Sequence, residues 1–226
     1  QAPGHWTKDN KAEQYQSGDN NYAIITQGYG SNGNHYKATV GPVKQTQIGV
    51  AGGVGNHAEI MQNVPGNTYA NDARQYQEGD ENEAYIVQTN QKNDAFQTQI
   101  GLGNYSSLLQ DGGGNSADID QLTDYNEANL TQNGWNNSAA IVQQTLNDNI
   151  VNLTQSGGGS ADILQDGGSN TVMGLLSDPM AQSLNGSTLN VTQMGSGNIL
   201  HLQQTNGSTA TVSQNGMTNT AVVIQN

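Results

Sequence analysis

The chain has 226 residues, of which only 33% are hydrophobic, and its formal net charge is −13. This composition excludes a large conventional core, and the acidic excess disfavours binding to nucleic acid phosphates or to an anionic membrane surface. Low hydrophobicity with high charge is typical of disordered chains, so an ordered fold has to draw on a regular pattern in the sequence.

Residues 1–9 (QAPGHWTKD) lie outside any such pattern, and we predict that they form a flexible N-terminal tail. Gln1 cannot be a translation start, which favours a mature, secreted form from which a signal segment has been removed. No apolar run approaches the roughly 20 residues of a membrane helix, so membrane insertion is not expected. The chain has no cysteine, which excludes disulfides and thiolate metal sites.

A repeat organises residues 10–226, and in its most regular part a Gln recurs at every eleventh position. Within a unit, Asn stands six residues before the Gln, a small residue four before it, and usually an aliphatic residue two before it. The regular Gln positions are Gln77, Gln88, Gln99, Gln110, Gln121, Gln132 and Gln143. The Asn positions of the same units are Asn71, Asn82, Asn93, Asn104, Asn115, Asn126 and Asn137.

Alternate positions within a unit point to one face of an extended strand, so each unit is predicted to be a β-strand with Asn, Ala, Ile or Leu, and Gln on its inner face. The charged residues of the strands fall on the opposite positions, as expected if the inner face is buried. Gly79, Gly101, Gly112 and Gly134 stand second in the turns, where a positive φ or a close backbone approach is expected. The four prolines are expected outside the strands.

Three turns are predicted to be enlarged, near residues 48–55, 63–70 and 177–186. The last of them contains Pro179 and follows a unit, Asn170 to Leu176, in which Leu takes the place of the terminal Gln. The remaining units keep a spacing that allows regular stacking.

Two units of eleven residues close one coil of 22 residues. The sequence therefore predicts an all-β fold, a β-solenoid of stacked strand-turn-strand coils. Residues one coil apart then stack, and their carboxamides can hydrogen-bond along columns with a spacing of about 4.8 Å. Gln77, Gln99, Gln121 and Gln143 form one such column, Gln88, Gln110 and Gln132 a second, and Asn71, Asn93, Asn115 and Asn137 a third.

Both ends of the predicted solenoid lack the cap that normally protects edge strands. The terminal units are Asn10, Ala12, Gln14 and Gln16 at one end and Asn219, Ala221, Val223 and Gln225 at the other. Because the two ends carry matching residues, identical molecules are expected to stack head to tail into a cross-β amyloid fibre.

The repeat Asn-x-Ala-x-Ile-x-Gln followed by x-Gly-x-x, in an acidic chain rich in Gly, Asn and Gln, closely resembles the curlin repeat of bacterial curli subunits, over most of residues 10–226. The resemblance implies a secreted subunit that leaves through a dedicated outer-membrane channel. It further implies assembly, aided by a nucleator subunit, into extracellular amyloid fibres of a biofilm matrix that serve adhesion and cell aggregation. The nucleating subunit of that family typically has a divergent, basic last repeat, whereas Asn219 to Gln225 is regular, which favours the major fibre subunit.

No catalytic, cofactor-binding or metal-binding arrangement stands out, and we expect that the protein is not an enzyme. The repeat spacing of calcium-binding β-rolls is absent, and Asp118 and Asp120 are expected to be solvated charges on a shared outer face. Two functional alternatives remain: a nucleating minor subunit, and a non-polymerising ligand-binding or ice-binding solenoid. The latter needs a regular Thr array, and Thr98, Thr131 and Thr154 are not expected to align in one column.

Overall fold

The computed structural model describes residues 11–30, 43–65, 71–175, 180–183 and 185–226. Within these ranges the protein is all-β, without a helix, as the sequence predicted. The predicted tail of residues 1–9 and the first unit's Asn10 lie outside the described residues. The strands are β1 Ala12–Ser17, β2 Tyr22–Gly30, β3 Val43–Gly49, β4 His57–Pro65, β5 Asp72–Asp80, β6 Glu83–Gln91, β7 Asp94–Leu102, β8 Tyr105–Gly113, β9 Ser116–Gln121, β10 Glu127–Trp135, β11 Ser138–Thr145, β12 Ile150–Ser156, β13 Ser160–Gly167, β14 Thr171–Met173, β15 Ala181–Ser183, β16 Thr188–Ser196, β17 Ile199–Gln204, β18 Thr209–Met217 and β19 Thr220–Gln225.

The strands form two parallel sheets that face each other. Sheet 1 contains nine strands in the order β1-β3-β5-β7-β9-β11-β13-β16-β18, and sheet 2 contains the other ten, from β2 to β19. Successive strands of the chain alternate between the sheets, except that β14 and β15 both lie in sheet 2, so each pair of strands in the regular part makes one coil. In the regular part, Ala73 pairs with Ala95 and Ala95 with Ala117, which gives the predicted coil of about 22 residues and confirms the β-solenoid.

The core lies between the two sheets and consists of one layer of inward side chains from each sheet. In β6, for example, Ala84, Ile86 and Gln88 are fully buried, while the residues between them face outward. Fully burying each Ile or Leu contributes about 1.5–3 kcal/mol, and the small Ala residues let the sheets approach. The buried polar side chains of the described residues are Asn, Gln and Ser, and none is charged, which confirms the predicted inner and outer faces.

Glycines at the bends allow successive coils to pack closely. Gly112 has a φ of 120°, and a Cβ added to it would lie 1.8 Å from the carbonyl oxygen of Gly134 in the next coil. Gly79 is placed in the same way against Gly101. The expected positive φ and close approach are therefore both observed at these turns. The strands often continue past the Gln into the bend, as β5 does to Asp80, so the turns are tighter than the sequence suggested.

Residues 66–70, 177–179 and 184 of two predicted enlarged turns lie outside the described residues, and the described parts of both turns contain strand residues that the sequence did not predict. Strand β4 extends to Pro65, contrary to the expectation that every proline lies outside the strands. Pro65 pairs with Gly30 of β2, but the pairing of β4 with β6 ends at Asn63, so no hydrogen bond to β6 is lost through the missing N–H.

The predicted turn at 177–186 contains a strand, β15, which pairs with β12 and β17. Strands β14 and β15 together occupy one level of sheet 2, and Ser183 takes the position in the Gln column that was assigned to Leu176. Leu176 itself lies outside the described residues. The alternation of Ala181 and Ser183 is too short to be recognised as a strand from the sequence.

Candidate self-assembly site

A column of nine glutamines runs through the core of sheet 1 from its first strand to its last. Each Nε2 donates to the Oε1 of the next glutamine at 2.7–2.9 Å. The members are Gln16, Gln47, Gln77, Gln99, Gln121, Gln143, Gln165, Gln193 and Gln214. From Gln47 to Gln214, each Nε2 also donates to a backbone carbonyl across the core, as Gln121 does to the oxygen of Tyr105 at 2.9 Å. The column thus ties neighbouring coils and both sheets together.

The corresponding column of sheet 2 is interrupted. It connects Gln62, Gln88, Gln110, Gln132 and Gln155 at 2.8–3.0 Å. Ser183 follows Gln155 in the pairing, and its hydroxyl group donates to the carbonyl oxygen of Ser187 instead. The buried Oε1 of Gln204 on the next strand therefore has no hydrogen-bond partner, and the column resumes with Gln204 donating to Gln225 at 2.8 Å.

Sheet 1 holds a second, shorter Gln column that the sequence analysis did not identify. Gln14, Gln45, Gln75 and Gln97 occupy the position where most units have Ile or Val, and they are linked at 2.9–3.0 Å. Gln97 ends the column by donating to the hydroxyl of Ser106 at 2.8 Å. The signal was present, because Gln stands two residues before the regular Gln in each of these units.

The asparagines stack at the two lines of bends. At one line, the backbone N–H of Asn93, Asn115 and Asn137 donates to the Oδ1 of the preceding Asn of the column, beginning at Asn71, at 2.9–3.1 Å. The other line contains Asn82, Asn104 and Asn126 and extends from Asn21 to Asn219. The columns predicted from the 22-residue spacing are therefore observed within the chain.

The two kinds of column have opposite directions. Every Gln–Gln bond of these columns has its donor on the strand nearer the N-terminal end of the solenoid, as in the bond from Gln99 to Gln121. In the Asn columns, the donor lies nearer the C-terminal end, as in the bond from Asn126 to Asn104. The N-terminal edge consequently presents Gln acceptors and Asn donors, and the C-terminal edge presents Gln donors and Asn acceptors.

Four strands pair on one side only within the described residues: β1 and β2 at one end, and β18 and β19 at the other. Their inner residues are more accessible than their equivalents in the middle of the solenoid. Ala12, Gln14 and Gln16 are exposed, Asn219 is exposed, and Ala221, Val223 and Gln225 are half-buried. Unpaired strand edges are templates for pairing with another chain.

The two edges match at most inner positions when one copy is placed above another, but Val212 of β18 would meet Gln14 of β1. Ala210 and Gln214 of β18 would meet Ala12 and Gln16 of β1. The inner residues of β19 are Asn219, Ala221, Val223 and Gln225, and those of β2 with its preceding turn are Asn21, Ala23, Ile25 and Gln27. The nine-glutamine column of sheet 1, the Gln column of sheet 2 and the Asn line from Asn21 to Asn219 can therefore continue across the junction in their own directions, whereas the second Gln column, which begins at Gln14, cannot.

The charged groups lie on the outer faces, where partial burial and neighbouring carboxylates raise the pKa values of two carboxyl groups. Burial, and then the carboxylate of Asp72 in the paired position, raise the pKa of Asp94. Burial, with Asp120 on the same strand, raises the pKa of Asp118. Asp80 is the opposite case, because the backbone N–H of Gly55 at 2.7 Å lowers its pKa.

A comparison with protein-family models finds no match for the chain, and a comparison with curated proteins finds no similar sequence. In the part of the chain that the structure describes, there is no group of three His, Cys, Asp or Glu side chains placed to hold a metal ion. The same part contains no helix long and apolar enough to cross a membrane.

Proposed function

We propose that this protein is a structural subunit that polymerises head to tail into a cross-β fibre. The observation that supports the proposal is the complementarity of the two solenoid edges, which have the same or similar inner residues at all compared positions except Val212 and Gln14, and opposite hydrogen-bonding capacity. A heterologous contact of this kind repeats without closing and gives an open filament.

The setting that we propose is extracellular. The sequence repeat resembles that of curli subunits, so we propose a secreted, curli-like functional amyloid of a biofilm matrix, used for adhesion and cell aggregation. Its partners would be other copies of the same chain, a secretion channel of the outer membrane and a nucleator subunit. The regular last unit, Asn219 to Gln225, supports the role of the major fibre subunit over that of the nucleator.

The outer faces at the junction favour stacking as well. The outward residues of β19 are Thr220, Val222 and Ile224, which are uncharged, and those of β2 are Tyr22, Ile24 and Thr26. In sheet 1, the outward residues of β18 are uncharged and would meet Lys11, Glu13 and Tyr15. No like charges are brought together at this junction despite the net charge of −13.

The proposal is tested with two adjacent valines of β19. Val223 faces inward and would be covered by the next copy, whereas Val222 faces outward and is 60% exposed. Val223→Lys leaves the charge accessible in the monomer but buries it in the fibre, so we expect fibre growth to slow by about tenfold or more. Val222→Lys is the matched control and should grow at close to the unmodified rate.

Ile25→Lys and Ile24→Lys form the same inner and outer pair at the other edge. Growth is followed by light scattering and electron microscopy, and the fibres by diffraction, which should show a meridional reflection near 4.8 Å. Circular dichroism of the fresh monomers checks that each variant folds. Equal growth of inner and outer variants, or a persistent monomer of the unmodified chain, would refute head-to-tail polymerisation.

A ligand-binding or ice-binding solenoid is the second candidate, and one column of sheet 1 favours it. Hydroxyl groups stack on the outer face over five successive strands, at Ser116, Ser138, Ser160, Thr188 and Thr209. The threonines considered from the sequence are not in one column, because Thr131 stacks on Thr154 in sheet 2 and Thr98 lies in sheet 1. Thermal hysteresis of the monomer, lost on Ser138→Tyr, would favour this function.

A further inference from the structure

Four aromatic rings form a continuous stack on the outer face of sheet 2. The ring centroids of Tyr22 and His57 are 4.9 Å apart, those of His57 and Tyr85 are 5.4 Å apart, and those of Tyr85 and Tyr105 are 5.9 Å apart. The stack follows the long axis of the solenoid across β2, β4, β6 and β8. Tyr105 is 36% exposed and Tyr22 is 52% exposed, so solvent reaches the stack.

Within this stack, Tyr85 and Tyr105 are two tyrosines in direct ring contact. Their rings are tilted by 45° and belong to adjacent coils of the same chain. Tyr22 has His57 as its neighbour, so the histidine separates it from Tyr85. The other described tyrosine side chains, Tyr15, Tyr76 and Tyr125, have no ring partner among the described residues. The contact therefore singles out one pair.

A carboxylate stands beside one member of the pair. The hydroxyl group of Tyr85 donates to Oε2 of Glu83 at 3.3 Å, and Glu83 is exposed on the same strand. Burial, followed by the charge of Glu83, raises the pKa of Tyr85 to about 12, so its phenol stays protonated near neutral pH. Oxidation of this ring must therefore release a proton, and Glu83 is placed to accept it and pass it to solvent.

We propose that Tyr85 and Tyr105 are an oxidative cross-linking site, at which a peroxidase and hydrogen peroxide form an intrachain dityrosine between neighbouring coils. Each phenol gives up one electron and one proton, and the two electrons and two protons reduce one hydrogen peroxide to two waters. The two phenoxyl radicals then join through a carbon–carbon bond between ring carbons ortho to the hydroxyl groups. The ortho hydrogens move to the oxygens and restore two phenols. The product is a covalent tie between β6 and β8.

The experiment treats freshly purified, dilute monomer with a haem peroxidase and hydrogen peroxide, and stops the reaction with catalase. Cleavage after Lys92 and then after acidic residues puts Tyr85, Tyr105 and Tyr125 on different peptides, so mass spectrometry identifies the linked pair. We expect dityrosine fluorescence in the monomer fraction and a peptide that joins Tyr85 to Tyr105. Tyr85→Phe and Tyr105→Phe keep the rings and should each lose that peptide, whereas Tyr125→Phe should retain it.

Glu83→Gln should form the same product more slowly, because the amide hydrogen-bonds but does not take up the proton. Dityrosine found mainly between other tyrosines, or its persistence in Tyr85→Phe with unchanged circular dichroism, would overturn the proposal, as would the absence of dityrosine. An unchanged rate in Glu83→Gln would overturn the role of the carboxylate. The tie lies within one chain and forms in the monomer, so its presence or absence is independent of whether the protein polymerises.

Discussion

Two adjacent glutamines of β11 test whether the amide columns hold the solenoid together. Gln143 is fully buried, donates to Gln165 Oε1 at 2.9 Å and to the carbonyl oxygen of Glu127 at 3.0 Å, and accepts from Gln121 at 2.9 Å. Gln144 follows it and lies half-buried on the outer face. Gln143→Ala therefore removes a member of the column. Gln144→Ala removes the same side-chain atoms at a position that does not belong to the column.

The expected cost of Gln143→Ala follows from these contacts. Three hydrogen bonds are lost, each with a net contribution of about 0.5–1.5 kcal/mol. The Oε1 of Gln165 is also left buried without its donor, which costs about 1–3 kcal/mol. We expect the free energy of unfolding to fall by about 3–5 kcal/mol, against about 0.5 kcal/mol or less for the surface change Gln144→Ala.

Urea unfolding of the monomer, followed by far-ultraviolet circular dichroism directly after dilution, measures the difference. With a slope of about 3 kcal/mol per molar urea for a chain of this size, the midpoint should move by about 1 M or more for the inner variant. If the two variants unfold within about 0.5 kcal/mol of each other, the columns do not stabilise the fold and the reasoning is wrong.

Three further predictions concern the turns, the acidic residues and the solution conditions. Gly112→Ala should destabilise the monomer by about 1–3 kcal/mol in urea unfolding, because its φ and the adjacent Gly134 carbonyl exclude a Cβ, whereas Gly52→Ala meets no atom and should cost less. Since the pKa of Asp94 is raised, its ionised form destabilises the fold above that pKa, so stability should rise as the pH falls from 7 towards the ordinary carboxyl range, and less so in Asp94→Asn. Fibre growth, followed by light scattering, should accelerate between low salt and about 0.15 M, because screening weakens repulsion between acidic subunits.

For each of these three predictions, a specific result would contradict the expectation. Equal midpoints for Gly112→Ala and Gly52→Ala would show that the bends tolerate a side chain. A stability that falls steadily below pH 7 would mean that groups such as Asp80, whose lowered pKa makes acid destabilising, outweigh Asp94. Growth that slows on the first addition of salt would show that attraction between charges, and not repulsion, controls assembly.

The regular part of the fold could be predicted from the sequence because one short pattern determines several levels of structure. The spacing of Gln77, Gln99 and Gln121 fixes the coil length, the alternation fixes the buried face, and the placement of charged residues gives an independent check. Each inner residue contacts its own equivalent in the next coil, so a correct register for one unit places all the others.

The sequence was less informative where the units depart from the pattern. Strand β15 has three residues, and only its place between β12 and β17 makes it a strand. Pro65 is tolerated because β4 is there paired on one side, which no local pattern reveals. In the sheet, Tyr85 pairs with Ser107, so its contact with Tyr105 is diagonal. The repeat spacing that aligns residues in one column therefore did not predict this contact.

At one level of sheet 2, the two short strands β14 and β15 take the place of one continuous strand, and this has a mechanical consequence. There, the last coils are attached through two segments of three residues and an unsatisfied Gln204 oxygen, while sheet 1 remains continuous through Gln165 and Gln193. Thermal opening should therefore start at this level, and amide hydrogens of β17 and β19 should exchange before those of β6 to β10. A filament of such subunits would carry one compliant joint per molecule, at regular intervals, and would bend or fracture there first.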